Sequence, residues 1–296
     1  MEWLTNGIPP WEAYRSFMLG RLIALDKHPD VQPVGIGGTW RRLFPNIVLK
    51  VTGPEATMAC QDGQLCARFN AGIGGVFRGV QAIWDENSTA EDCVFLLVDA
   101  KNVFNKINRD VTMWTFRHLW PSGARFAFNF YCHWSLLVFW NGNGAASFLH
   151  SKEGVTQGYP LAMISYRIGI VPLINNLKQE IPDFTQPWHD DVAGASGLFM
   201  IIVTYFYSLT HQGLGHGYYP TPSKSVLIVH LENIEAVKEF GSHHRFKVFT
   251  GAHYIGGCIE DNESKSDWLR ECTLVWEKKI NTISKPRVNI PRRVTL

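Results

Sequence analysis

Residues 93–98, CVFLLV, form an unbroken apolar run rich in β-formers, the pattern of a short strand buried on both faces of a sheet. The run stops at Asp99. A carboxylate at the end of a buried strand is costly to place unless it meets water, a partner or a cation. A metal site there competes with the ordinary role of an Asp that opens a turn. Two features weigh toward the metal. Phe104, five positions on, sets a bulky ring in a polar segment, and a second acidic cluster follows at Trp188-His189-Asp190-Asp191. Asp190 and Asp191 lie between strand-like stretches at 185–188 and 192–195, as at the tip of a tight hairpin. Adjacent carboxylates repel one another and gain from a shared divalent cation. If that hairpin pairs beside the strand ending at Asp99, the two clusters converge on one site.

The flanking chain alternates helix and strand patterns. Residues 11–25 follow Pro9 and Pro10 with apolar residues at helical spacing, which predicts a helix. Pro and Gly punctuate 26–38, a loop or short hairpin leading into a second helix from about Thr39. Gly-Ile-Gly-Gly occurs at 35–38 and again at 72–75; neither copy completes GxGxxG, and the repetition is assigned to chance. Helices are expected over 110–119 and 124–134, interrupted by Pro121-Ser122-Gly123. Strands at 136–140 and 146–150 flank Asn141-Gly142-Asn143-Gly144, residues that tolerate positive φ in a tight turn. The loop 154–158 leads into a helix over 160–177, which Pro172 should kink or divide. A helix from about 197 to 209 then precedes a strand at Val226–Val229.

With 296 residues, 46% of them hydrophobic, the chain can bury a sizeable core as one large domain or two modest ones. Its formal net charge of +2 does not announce a nucleic-acid binder, so any such surface must come from local clustering. One cluster is the end of the chain, where Lys278, Lys279, Lys285, Arg287, Arg292 and Arg293 follow the last acidic residue, Glu277. Six cysteines show neither a CxxC pair nor zinc spacing, which fits a reducing compartment. The N-terminus lacks a secretory pattern, and the longest apolar run, 198–207, falls short of the ~20 residues that span a bilayer. The expected location is therefore intracellular, nuclear or cytoplasmic, with no membrane segment. No zinc pattern joins His211, His216, His243 or His244 to nearby cysteines.

Five motifs, VDAKNVF at 98–104, SKEGVTQGYPLAM at 151–163, WHDD at 188–191, GYYPTPSKSVLIV at 217–229 and VFTGAHYIGG at 248–257, occur in the order of polymerase palm motifs. With RLIALDKHPDVQPVGIGGTWRRL at 21–43 as a fingers segment, the chain resembles a reverse transcriptase of the non-LTR retrotransposon kind over roughly residues 8–284. The resemblance implies an α+β fold, a polymerase palm of antiparallel sheet, four-stranded and backed by helices, with helical fingers. It divides the chain into an N-terminal fingers segment (1–92), a palm with interleaved fingers helices (93–258) and the start of a thumb with a basic tail (259–296). It further implies template-directed transfer from a dNTP to a DNA primer on an RNA template, in the polymerase portion of a larger element.

Under that resemblance Asp99, Asp190 and, as an auxiliary, Asp191 hold two Mg²⁺ ions, with Mn²⁺ as the alternative. Lys224 matches the late-palm lysine that protonates the leaving pyrophosphate. One of Arg41, Arg42 and Lys50 holds the triphosphate, and Gln157 and Gly158 belong to the loop beneath the nucleotide. Phe104 lies under the incoming sugar, where its ring would exclude a 2′-OH; alternatively it is a core residue that anchors its loop. Two positions depart from the family. Tyr159 stands where Gln-Gly-Asp-Pro has Asp, and His189 precedes the Asp pair where Ala is usual. Neither removes a metal ligand, but both keep open a degenerate copy that only binds nucleic acid. An RNA-dependent RNA polymerase is the second alternative, since the metal logic is shared.

Overall fold

The apolar run at 93–98 forms the middle strand of a five-stranded sheet. The structure is a computed structural model that describes residues 2–27, 30–60, 72–86, 93–182, 188–189, 192–230, 234–254, 257–259 and 262–284. In chain order its strands are β1 (Gly20–Lys27), β2 (Asp30–Gly37), β3 (Cys93–Asp99), β4 (Ser135–Trp140), β5 (Ala146–Ser151), β6 (Trp188–His189) and β7 (Val192–Leu198). There follow β8 (Val226–Val229), β9 (Lys247–Phe249), β10 (Ala252–Tyr254) and β11 (Gly257–Ile259). The central sheet runs β6-β7-β3-β8-β9. Its first four strands pair antiparallel, and β9 adds in parallel to β8.

β3 is buried on both faces. Val94, Leu96 and Val98 point into the main core, while Phe95 and Leu97 meet Val76, Val80 and Trp84 of helix Gly72–Glu86 together with Ile228 and Ile259. Each such side chain contributes about 1.5–3 kcal/mol on burial, enough to fix this strand as the centre of the sheet. Helix Phe199–His216 packs against β3 and β7, and helix Ile234–His244 against β8 and β9. This is a mixed α+β fold with a mainly antiparallel sheet backed by helices, one strand wider than expected.

The expected helix over 11–25 is the main correction. Only Trp11–Tyr14 is helical, and Gly20–Lys27 is a strand. Gly20 interrupts the helical run, and β1 then pairs residue by residue with β2, from Gly20↔Gly37 to Lys27↔Asp30. A full ladder outweighs a helical preference worth tenths of a kilocalorie per residue. Together with β4 and β5 this hairpin builds a second, four-stranded sheet, order β2-β1-β4-β5, so the N-terminal segment expected to be helical contributes two strands.

Other elements lie close to expectation. Helix Thr39–Ala59 starts at the expected residue, and β8 has the expected bounds. The β4–β5 turn places Gly144 at φ +82°. Helices Ala162–Gly169 and Val171–Glu180 divide where Pro172 occupies the first turn of the second. Pro121 opens helix Pro121–Tyr131 rather than interrupting one, since a proline in the first turn forfeits no hydrogen bond. β7 continues to Leu198, so its helix begins at Phe199. The basic residues from Lys285 onward lie outside the described residues.

Candidate active site at the end of the central strand

Asp99 closes β3 at the rim of the sheet, half-buried, with its main chain held from one side. Its N–H donates to Ser225 Oγ at 3.1 Å, and its carbonyl accepts from Thr221 N at 2.7 Å. Ser225 Oγ in turn donates to Thr221 O at 2.9 Å. Ala100 bridges Pro220, and Lys101 N donates to Tyr219 O at 2.9 Å. The segment carrying the predicted late-palm lysine is thus laced along the residues that follow Asp99. Lys224 is exposed at the end of the 3₁₀ turn Pro222–Lys224, one residue before Ser225. Ser225 and Thr221 fix the aspartate's backbone, a role visible in sequence only as their membership of the same motif.

On the other side β7 pairs with β3, Asp99 opposite Val192. β6 pairs with β7 in turn, His189 opposite Val192 and Trp188 opposite Ala193, which is the tight strand-turn-strand expected here. Asp190 and Asp191 lie outside the described residues, between these two paired positions in the chain. Among the described residues no group of three or more His, Cys, Asp or Glu forms a metal cluster. The expected ligand set includes those two carboxylates.

Phe104 sits on the short helix Val103–Lys106, half-buried, its ring 5.2 Å from that of Tyr166. Its carbonyl accepts from Val155 N at 2.6 Å, which ties the segment after Asp99 to the loop 154–158. Gly35 N donates to Gln157 O at 2.8 Å, and this brings β2 onto the same loop. A Cβ at Gly35 would collide with Thr156 Cγ2, and one at Gly158 would lie 2.7 Å from Gly35 O. Gly158 also has φ +96°, a conformation that L side chains rarely adopt. Gly35 therefore has a packing role, whereas at 72–75 a Cβ on Gly74 or Gly75 would meet nothing within 4 Å. The repeated tetrapeptide is one sequence in two unrelated roles.

The three basic candidates separate. Arg42 and Lys50 are exposed on helix Thr39–Ala59, but Arg41 is 1% exposed. Its guanidinium donates to Met18 O and, at 3.5 Å, to Ser135 Oγ. It lies 3.9 Å above the Tyr159 ring and 5.1 Å from that of Phe130. Burial pulls its pKa down, opposed by neighbouring tyrosines. Arg41 is a pillar between the β2-β1-β4-β5 sheet and the loop, taken up by packing rather than presented to solvent. The Tyr159 ring is the platform under it.

Arg109, unassigned from sequence, holds the base of the β4–β5 hairpin. Nε donates to Gly154 O at 3.0 Å, Nη1 to Tyr131 O at 3.1 Å and Ser151 O at 3.2 Å, and Nη2 to Ser151 Oγ at 3.3 Å and Glu153 O at 3.1 Å. Desolvation lowers its pKa too, and the fan of carbonyls is the compensation. Asn108 caps the same helix, its Oδ1 accepting from Asp110 N and Val111 N, an interaction worth about 1 kcal/mol.

No family model matches the sequence, and no curated protein matches it. Among solved structures, apo telomerase from Candida tropicalis lacking its C-terminal domain is similar at TM-score 0.55 and 13% identity, over 72% of this chain and 50% of that one. Telomerase from Candida albicans, in complex with a fragment of telomeric RNA, is similar at TM-score 0.53 and 11% identity, over 72% of this chain and 43% of that one. The chain thus spans half or less of the length of these structures. What the likeness carries at such identity is the fold: the chain shares a polymerase palm-like α+β fold with these telomerase structures.

Proposed function

We propose that this chain is an RNA-directed DNA polymerase of the non-LTR retrotransposon kind, transferring nucleotidyl groups from dNTPs to a primer 3′-OH on an RNA template. The observation that carries the proposal is the register Asp99↔Val192, which pairs the strand-end carboxylate with the residue directly after Asp190-Asp191 in the chain. Hard carboxylate oxygens are the donors that Mg²⁺ prefers, so Asp99, Asp190 and Asp191 suit a pair of such ions. When bound, those ions would lower the pKa of the attacking hydroxyl and stabilise the phosphoryl transition state. Phe104 would lie against the sugar, Lys224 would supply a proton to the leaving pyrophosphate, and Arg42 or Lys50 would meet the triphosphate. Similarity to a telomerase solved with telomeric RNA supports an RNA partner.

Primer extension on an RNA template, with Mg²⁺ and with EDTA, tests this. Metal-dependent incorporation of dNTPs is expected; extension with ribonucleotides alone would instead indicate an RNA polymerase. A second reading, a degenerate copy that binds without extending, is favoured by Tyr159, which fills the place of a carboxylate beneath Arg41. Under it Tyr159→Asp and His189→Ala restore extension. Neutral or harmful reversions in an active chain would overturn it.

A further inference from the structure

An open groove of about 730 Å³ adjoins the segment after Asp99 through Tyr219 and runs away from that carboxylate between helix Arg109–Leu119, the end of helix Pro121–Tyr131, Lys152-Glu153 and Leu214 to Tyr219. Its walls carry four aromatic rings with substantial exposure: Trp114 at 63%, Trp134 at 55%, Phe128 at 41% and Tyr219 at 39%. On the first helix Asp110, Met113, Trp114 and Arg117 recur at helical spacing and all face the groove. Burying such rings in the core would be favourable, so a cluster of them held at the rim of one cleft marks a binding surface.

Cations are interleaved with these rings. Arg109 is committed to the hairpin carbonyls, and Lys106 pairs with Glu153 at 3.2 Å. Arg117 and Lys152 remain as exposed cations on the walls, with Lys152 Nζ 4.5 Å from the centre of the Trp134 ring. The lining thus holds four cations against the carboxylates Asp110 and Glu153.

From this pattern we infer that the groove binds a single-stranded segment of nucleic acid, bases stacked on Trp114 and Trp134 and phosphates beside Lys152 and Arg117. Stacking on aromatic faces with cations along the backbone is how single strands are held without sequence preference. A duplex keeps its base faces covered and cannot use the rings. A protein partner would use the rings but would gain less from cations set between them. The inference does not rest on the polymerase reading.

The test is fluorescence anisotropy of the full chain with a labelled oligouridylate of about 12 nucleotides, in EDTA to silence any extension. Trp114→Ala and Trp134→Ala should each weaken binding about tenfold or more, while Trp114→Phe, which keeps a stacking face, should hold most of the affinity. Lys152→Glu should flatten the dependence of log Kd on log salt by about 0.7, the share of one phosphate that is no longer neutralised. If an alanine variant fails to fold, the exposed Lys152→Glu change decides. Undiminished affinity in the folded variants, or no binding by the unmodified chain, would overturn the inference. So would alanine variants that lose self-association yet keep the oligonucleotide, since the groove would then be a protein surface. Primer extension on the same preparations separates the two proposals: groove binding without extension sinks only the polymerase.

Discussion

Asp99 and Val192 face one another across the β3–β7 ladder, the last pair of a seven-residue register that begins at Cys93 and Leu198. This pairing joins two acidic motifs separated by about ninety residues of chain, and it motivates the first prediction. Asp99→Asn and Asp190→Asn should each lower kcat for primer extension ~10³-fold or more, since a missing metal ligand removes several kcal/mol of transition-state stabilisation. Asp191→Asn should be milder. Circular dichroism should show folded protein in all three. Retained activity in either of the first two would sink the two-metal assignment.

Phe104→Val should admit ribonucleotides with a modest loss of dNTP use, read as the ratio of kcat/KM for the two sugars. The ring is half-buried and touches Tyr166, so the same substitution also probes its anchoring role. An unchanged sugar preference in a folded variant would refute the gate; loss of folding would mark Phe104 as core.

Much of the palm is legible in the sequence because its signals are local. A continuous apolar run of this kind fits a strand covered on both sides, which marks β3 and β8, and Pro172 marks its own helix break. Residues 20–25 read as helix in isolation because only pairing with 32–37 decides them, and pairing is not local. The burial of Arg41 is equally hidden: Met18, Ser135 and Tyr159, which make room for its charge, are scattered through the chain. The groove stripe on helix Arg109–Leu119 has plain helical spacing, but its polar members conceal it among solvent-facing residues.

Gly35→Ala should cost about 1–3 kcal/mol through overpacking against Thr156 Cγ2. Thr156→Ser removes that methyl group, and the double variant should recover at least half of the loss in urea denaturation. Gly158→Ala faces a backbone carbonyl and a positive φ, so the serine change should not rescue it. Equal penalties in both backgrounds would refute the close packing of β2 on the loop.

Tyr159→Ala should destabilise by about 3–5 kcal/mol, as for other buried rings. Tyr159→Asp should cost less, because a carboxylate beneath Arg41 offers an ionic partner in place of the stacked ring. Thermal denaturation of the two variants side by side checks the order, and the reverse order would show that packing volume outweighs charge at this position.

Alkaline pH should weaken the fold. Burial pushes the Cys60 thiol up from 9.0 to about 12, and desolvation raises Tyr159 and Cys93 in the same direction. These groups are neutral in the folded chain and ionise more readily once unfolded. The Cys60 contribution is therefore full below pH 9 and is lost as pH rises toward 12. The urea midpoint should fall over that window, and Cys60→Ala should flatten the fall. A midpoint with the same pH slope in both proteins would refute the assignment to Cys60.

The fan of hydrogen bonds from Arg109 has a mechanical consequence. One guanidinium grips Tyr131, Ser151, Glu153 and Gly154, so a helix end, a hairpin base and the loop beyond it must travel together. Flexing of the β4–β5 hairpin would therefore lie above that clamp, toward the turn at Asn141 to Gly144. Amide protons at Val155 and its neighbours should then exchange only when the whole unit opens.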